Sequence, residues 1–428
     1  MKIVKYCKAT EEKKEEKKRE EEEYVRGTFT DESNFITEYY ERTIFEVKVL
    51  YKDGLVIPSE FNILRLPMVP LQIIDFSWCS KRTKEWAKSI KSKPSYFSLW
   101  FGEGAEIKLR FEEYPAFEWR FDFNISSKLN DGDLIEKRKR NGLKKEGWMD
   151  LFTIRRTEIT GPQVTYQLWL YDYPAEIEFK KWTEQLCYIF NSPVNNFLFD
   201  TTTRRNRRYE MTETKTVDWF FNIQSSIESF EIRLKETSEE GMKQVLDKLR
   251  TTRNIILDFP SVDGFQHRNN TMFKTEHVVV RKAKWITIDN LLDMKNCLTI
   301  TLFEHKLSEE DLNLFIQKWV DGHFPHLEYF HLKIEKEESV EFNASNVLKG
   351  IEHEYEDDVY RMFKKGEKGT DLMIWTSEGW HIYSKNGLKA SVLNMEQDGC
   401  YNVNFFVWTE ESMIATEDDE RFIWPQLF

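Results

Sequence analysis

Residues 298–335 read LTITLFEHKLSEEDLNLFIQKWVDGHFPHLEYFHLKIE. In LTITL, Leu298, Ile300 and Leu302 fall on one side of an extended chain, with Thr299 and Thr301 on the other. That period of two belongs to a strand covered on one face only. Ser308 and Asp311 then stand three positions apart, just ahead of Leu312, Phe315, Ile316 and Trp319, whose spacing marks one face of a helix. A hydroxyl and a carboxylate at that spacing can satisfy the free N–H groups that open a helix. LEYFHLKIE returns to period two, with Phe330, Leu332 and Ile334 expected beside Leu298, Ile300 and Leu302 in one core. The stretch reads as strand, capped helix, strand.

The same alternation extends backwards. Phe179, Trp182, Leu186, Ile189 and Phe190 line a helical face, and NNFLFD follows as a strand. Next come a helix at TVDWFFNIQSS, the strand SFEIRL, a helix carrying Met242, Val245, Leu246 and Leu249, and the strand NIILDF. EHVVV and the short helix ITIDNLLDM lead into LTITL. Strand centres near Ile232, Leu257, Val279, Ile300 and Leu332 recur at intervals of about 21 to 32 residues, the range of helix–strand solenoids. A unit with one apolar face cannot bury it alone, so the expected architecture is α/β: a leucine-rich-repeat-like βα array, curved by stacking.

Flanking segments have other textures. YFSLWF, IKLRF, FEWRFDF and YQLWLY give residues 96–170 a β-rich character, interrupted by a polar insert from Lys128 to Gly147. In FNILRLPMVPLQIIDFSWCSKRTKEWAKSI, a proline-punctuated apolar run passes into an amphipathic helix with Phe76, Cys79, Thr83, Trp86, Ala87 and Ile90 on one face. NASNVLKGIEHEYEDDVYRMFKK reads as a further helix, with Glu352 to Asp358 as its solvated side. DLMIWTS, GWHIYSK, GLKASVLNM and YNVNFFVW read as a terminal β-meander, with Asn386-Gly387 as a turn. The expected parts are a charged N-terminal extension (1–60), a helical segment (61–95), the β-rich region (96–170), the array (171–340), and a C-terminal helix with the meander (341–428).

Composition narrows the function classes. A chain of 428 residues with 40% hydrophobic and 15% aromatic content can fill substantial cores. Its 62 basic against 74 acidic side chains give a net charge of −12, which opposes phosphate backbones and argues against nucleic acid as the partner. Cys7, Cys79, Cys187, Cys297 and Cys400 are scattered, as in a reducing compartment, and the opening apolar run is too short for a signal peptide. No apolar stretch reaches the ~20 residues of a membrane span. The expected location is therefore cytoplasmic or nuclear. EEKKEEKKREEEE at residues 11–23 has no apolar stripe and reads as a solvated helix or arm.

Catalytic and cofactor signatures fail one by one. His353 and Glu354 begin a zinc-protease motif, but Asp357 stands where the second histidine belongs. Gly102 and Gly104 begin a dinucleotide fingerprint that Ile107 interrupts. His323, His326 and His331 straddle a loop and a strand without nearby thiols. Two basic runs, Lys137 to Arg140 with Lys144 and Lys145, and Arg204, Arg205, Arg207 and Arg208, contain no interleaved aromatics for base stacking. The reading is a protein without catalytic residues, cofactor or metal.

Several stretches go beyond texture. ILRLP at Ile63 to Pro67 and SWCSKRTK at Ser77 to Lys84 resemble the opening and later helix of the nematode-type F-box. Lys284 to Glu335 resembles the type-2 F-box-associated domain, through Trp285, Asp289, Leu291, Leu292, Cys297, Leu312, Asn313, Trp319, Gly322 and Pro325, within a core spanning 265–336. LWLYDYPAEIEFKKWTEQLCYIFNSPVNNFLFD and NGLKASV add further similarity. The resemblance implies a substrate-recruiting subunit of a Skp–cullin–F-box ubiquitin ligase, holding a protein target and binding a Skp-type adaptor and through it a cullin. Leu64, Leu66, Pro67, Ile73, Ile74 and Trp78 are the expected adaptor-binding residues. Only nine residues, Met68 to Phe76, stand where the family places a helix and a turn, so the F-box reads as shortened and its apolar residues need either an internal or an external partner. The competing reading is a protein-binding scaffold that recruits no ligase. On the array, the outward residues Thr299, Thr301, His331 and Lys333 are the expected target-binding positions, because they sit on rigid strands.

Overall fold

The computed structural model describes residues 70–78, 80–102, 104–114, 117–126, 153–160, 163–171, 175–202, 212–260, 262, 264–267, 273–335, 343–356, 361–365, 372–376, 379–397 and 400–409. Helices are α1 (Pro70–Ser77), α2 (Lys81–Ser89), α3 (Ala175–Phe190), α4 (Glu213–Ile223), α5 (Glu239–Lys248), α6 (Ile288–Asp293), α7 (Glu309–Val320) and α8 (Ala344–Val347). Strands are β1 (Pro94–Phe101), β2 (Ala105–Phe111), β3 (Glu118–Ser126), β4 (Thr153–Thr160), β5 (Gln163–Tyr171), β6 (Asn196–Asp200), β7 (Ile227–Arg233), β8 (Thr251–Asp258) and β9 (His277–Arg281). They continue as β10 (Thr299–Phe303), β11 (Tyr329–Glu335), β12 (His353–Glu356), β13 (Arg361–Lys365), β14 (Leu372–Thr376), β15 (Gly379–Tyr383), β16 (Lys389–Gln397) and β17 (Cys400–Val407).

The fold is mixed α/β. Among the described residues, fifteen strands form one sheet in the order β12-β15-β16-β17-β11-β10-β9-β8-β7-β6-β1-β2-β3-β5-β4, while β13 and β14 pair separately. From β6 to β11, each strand lies parallel beside its successor in the chain. Right-handed crossovers between such neighbours all return on the same face of the sheet. Helices therefore cover one face, and this is why the strands alternate instead of being apolar throughout.

Register makes the covered face continuous. Phe121, Ile107, Leu99, Phe197, Phe230, Ile255, Val278, Ile300, Phe330, Phe405 and Val392 are successive cross-strand partners, all buried. A second buried row, two residues along, passes through Phe123, Ala105, Phe101, Phe199, Ile232, Leu257, Val280, Leu302, Leu332 and Val403. Helix faces seal both rows: Phe179, Trp182, Leu186, Ile189 and Phe190 of α3, Val217 and Phe220 of α4, Met242, Val245 and Leu246 of α5, and Leu312, Phe315, Ile316 and Trp319 of α7 are buried. Each such side chain removed from water contributes about 1.5–3 kcal/mol. Leu298 lies before β10 and is only half-buried, and the side chain of Ile334 lies outside the described residues.

Local signals fix the helix ends. Ser308 Oγ accepts from Asp311 N at 3.2 Å while Asp311 Oδ2 accepts from Ser308 N at 3.0 Å, the reciprocal cap expected for α7. Gly322 at φ 85 ends α7, as His323 N donates to Lys318 O at 2.9 Å and Gly322 N to Trp319 O at 2.8 Å. Such a left-handed position favours glycine.

Two expectations are corrected. The long helix expected after Glu338 is only α8, followed by strands β12 and β13. Gly350, at φ 75, turns the chain left-handed just after α8, and His353–Glu356 then pairs with β15 as a short, charged edge. The nine residues expected to be too few for a helix and its connection hold most of α1, which begins at Pro70, where a missing N–H costs a helix nothing. Strands β1 to β3 also share one sheet with β6 to β11, because β1 pairs with β6.

Ile300→Asp places a carboxylate in the middle of the first buried row and is expected to cost about 3–5 kcal/mol in chemical denaturation. Thr301→Asp, one residue later and on the opposite face, is expected to stay within about 1 kcal/mol of the parent. Equal effects would refute the two-faced assignment.

Candidate functional site

Opposite the helices, the sheet presents a second face. Trp100, Leu198, Glu231, Ile256, Val279, Thr301 and His331 are successive cross-strand partners there, all half-buried. The row is largely apolar yet has no place in the main core. Most cations beside it are neutralised locally. Lys108 and Arg120 reach Glu106, Arg233 reaches Glu231 and Asp200, and Lys282 reaches Asp258.

All the expected target-binding residues gather at one end of this face. Thr301 pairs with His331 and Phe303 with Lys333, while Thr299 lies beside Tyr329 and His277. His277 Nδ1 and Thr299 Oγ1 are 2.8 Å apart, and His331 Nε2 lies 3.2 Å from Asn402 Oδ1. The His331 ring meets Phe303 edge-on at 5.8 Å between centroids and stacks on Tyr329 at 6.0 Å. Burial lowers the His331 pKa; the hydrogen bond with Asn402 works against this, and the Lys333 charge adds to it. Tyr329 donates its hydroxyl to Asn404 Oδ1 at 2.9 Å and stacks on Phe406, closing a small aromatic cluster with Leu393 and Trp408. The Tyr329 pKa is raised by burial.

Next to that cluster lies a polar chain that sequence patterns did not single out. Trp408 Nε1 donates to Ser391 Oγ at 2.5 Å, Ser391 Oγ lies 2.7 Å from His381 Nδ1, and His381 Nε2 lies 2.9 Å from Glu356 Oε2. Lys389 Nζ reaches Glu356 Oε1 at 3.3 Å. The Glu356 carboxylate can only accept, so the His381 Nε2 facing it carries a proton; in the neutral imidazole Nδ1 then accepts from the Ser391 hydroxyl, which itself accepts from the indole. The trio has hydrolase chemistry in outline, but Ser391 is 0% exposed. The chain instead satisfies buried polar atoms between β12, β15, β16 and β17. Its members lie far apart in sequence, so no spacing announces them.

Of the expected adaptor-binding residues, Ile73, Ile74 and Trp78 are among the described residues. Leu64, Leu66 and Pro67 lie outside the described residues, as do both basic runs and residues 11–23. Ile73 and Ile74 are 2% and 1% exposed, within the main core. Trp78 is half-buried, its ring 5.6 Å from that of Trp182 on α3. Ser77 Oγ accepts from Gln185 Nε2 at 2.8 Å, tying α1 to α3. Lys84 and Lys88 of α2 sit 4.5 and 4.2 Å from the Tyr188 ring centroid. As placed, Ile73, Ile74 and Trp78 serve internal packing. The histidines of the former metal candidate also disperse, since His323 Nε2 lies 3.1 Å from Leu292 O while His331 faces Asn402. His353, whose spacing hinted at a zinc helix, stands on strand β12.

Residues 266–332 match the protein family described as F-box associated, a span that includes α6, α7, β9, β10 and the start of β11. Among curated proteins of Caenorhabditis elegans, the chain is similar to Skn-1 dependent zygotic transcript 15 protein, 28% identical over 99 residues, covering 22% of this chain and 28% of that one. A stretch of 86 residues is 34% identical to E3 ubiquitin-protein ligase hecw-1, covering 20% of this chain and 6% of that one. An uncharacterized protein of the same nematode is 22% identical over 280 residues, covering 62% of this chain and 58% of its own length. The chain thus matches less than two thirds of the length of each of these relatives. The similarity to the F-box associated family lies in residues 266–332, and these similar curated proteins come from a nematode. No helix among the described residues is long and apolar enough to cross a membrane.

His305, in the loop between β10 and α7, is 7% exposed and accepts from Leu307 N through Nδ1 at 3.1 Å. Desolvation lowers its pKa from the ordinary 6.5 to about 4. The unfolded chain takes up the proton first as pH falls, so stability present above 6.5 is lost on the way to 4, on the order of 3 kcal/mol. His305→Asn keeps an acceptor for Leu307 N and is expected to flatten that part of the stability profile, measured by denaturation between those pH values. An unchanged slope would place the titration elsewhere.

Proposed function

We propose that this chain is the target-holding subunit of a ubiquitin ligase of the Skp–cullin–F-box type, binding a protein target on the open face of its parallel strands. The observation that carries the reading is the coincidence of two facts. The F-box associated match falls on residues 266–332, and that segment supplies β9, β10 and the start of β11, where the half-buried residues Val279, Thr301 and His331 adjoin. The ubiquitin-ligase name of one relative points the same way. In this reading the strands act as a leucine-rich-repeat-like platform, the chain performs no chemistry itself, and it works in the cytoplasm or nucleus. Skp-type adaptor and cullin are the machinery partners, and Leu64, Leu66 and Pro67 form the docking corner of a shortened F-box.

A scaffold that binds its target without recruiting a ligase is the second reading. It is favoured by Ile73 and Ile74, whose burial in the core removes them from any adaptor surface.

Purification of the tagged chain separates the two. The ligase reading expects a Skp-type adaptor and a cullin to co-purify, and expects Leu66→Asp with Pro67→Ala to abolish adaptor capture while the melting curve stays unchanged. Absence of adaptor from the wild-type purification, or a lowered melting temperature in the double variant, would sink it in favour of the scaffold.

A further inference from the structure

Resting on the open-face reading above, we infer that the segment seated on β9 to β11 is acidic, with an apolar side chain beside its carboxylates. The inference starts from which charges on this face are satisfied. Lys108, Arg120, Arg233 and Lys282 all have carboxylate partners. Arg281 and Lys333 have none among the described ion pairs, and Glu304, one residue beyond Phe303, pairs with neither. Both cations belong to the open face, because their neighbours Val280 and Leu332 are buried on the other side.

Their placement is specific. Lys333 is the cross-strand partner of Phe303, and Arg281 ends the strand on the other side of β10, with Asp258, the partner of Lys282, opposite it on β8. Strands are spaced about 4.8 Å apart, so the backbone positions of the two cations lie roughly 10 Å from each other, with Phe303 on the strand between them. Below them, Val279 and Ile256 continue the half-buried apolar row, which Glu231, paired with Arg233, separates from Leu198. The Arg281 fork and the Lys333 ammonium can each grip a carboxylate, while Phe303 and Val279 take the neighbouring apolar group. His331 is held toward its neutral form by burial and adds no competing cation.

A chain of net charge −12 gains specificity from such a pair. Its field repels acidic proteins in general, so only one able to reach both cations and the apolar row would be retained.

A random peptide library displayed on phage and selected on the full chain tests this. Enriched peptides should combine Asp or Glu with an apolar residue, and their affinity should fall by about tenfold or more for Arg281→Glu with Lys333→Glu. Lys243→Glu, on an exposed face of α5, should leave it unchanged. Should the charge-reversed pair lower the melting temperature, Arg281→Gln with Lys333→Gln replaces it and the same loss is expected. Enriched peptides without acidic residues, or undiminished binding by the paired variants, would overturn the inference. So would single-stranded RNA that binds tighter than the peptides and displaces them. Val279→Glu distinguishes the two levels: binding lost there but kept in the paired variants leaves the open face as the site and removes only the acidic chemistry. Binding kept in both removes the open-face reading as well.

Discussion

Every feature described depends on the register of the two buried rows. Ile300 stands between Val278 and Phe330, and Leu302 between Val280 and Leu332, and the same juxtaposition carries outward through β6 to β3 on one side and through β17 on the other. Slippage by one residue would expose Ile300 and Leu302 and bury Thr301. Because helices cover only these rows, the threonines, His331 and Lys333 are left on the opposite face together with Trp100, Leu198, Ile256 and Val279. The rule that gives the protein its core therefore also gives it a rigid, half-apolar surface on the opposite face.

Ends of the parallel run need protection, since an uncovered strand invites pairing with other chains. On one side β17, β16 and β15 add antiparallel strands beyond β11, ending in the short, charged β12. Buried polar atoms there are joined in the chain from Trp408 through Ser391 and His381 to Glu356. On the other side β1 to β3 extend the sheet, and α3 with α1 and α2 forms its cover, so the helical segment is built into the core of the sheet.

Much of this was legible from local pattern. LTITL and LEYFHLKIE alternate because one face is bare, and the capped LFIQKW helix could be read directly from Ser308 and Asp311. What escaped the sequence is whatever depends on distant pairing. Nothing near Ile73 or Ile74 says that α3, about 100 residues later, lies in the same core. Ser391, His381 and Glu356 meet only because β16, β15 and β12 are neighbours. EHEYED carried enough helix-forming residues to pass for a helix, but the glycine at position 350 and an available edge of β15 outweighed that weak propensity. The candidate face was read as Thr299, Thr301, His331 and Lys333, and its apolar part on β1, β6 and β8 was missed because the face crosses strands far apart in sequence.

Native-state hydrogen exchange on the free chain tests the central claim, that one pair of continuous rows holds the whole sheet together. Amides of β1, β6 to β11 and β17 are expected to share the slowest exchange class and to open together as denaturant rises. Early, independent opening of β15 to β17 or of β1 to β3, with β9 to β11 still protected, would contradict it.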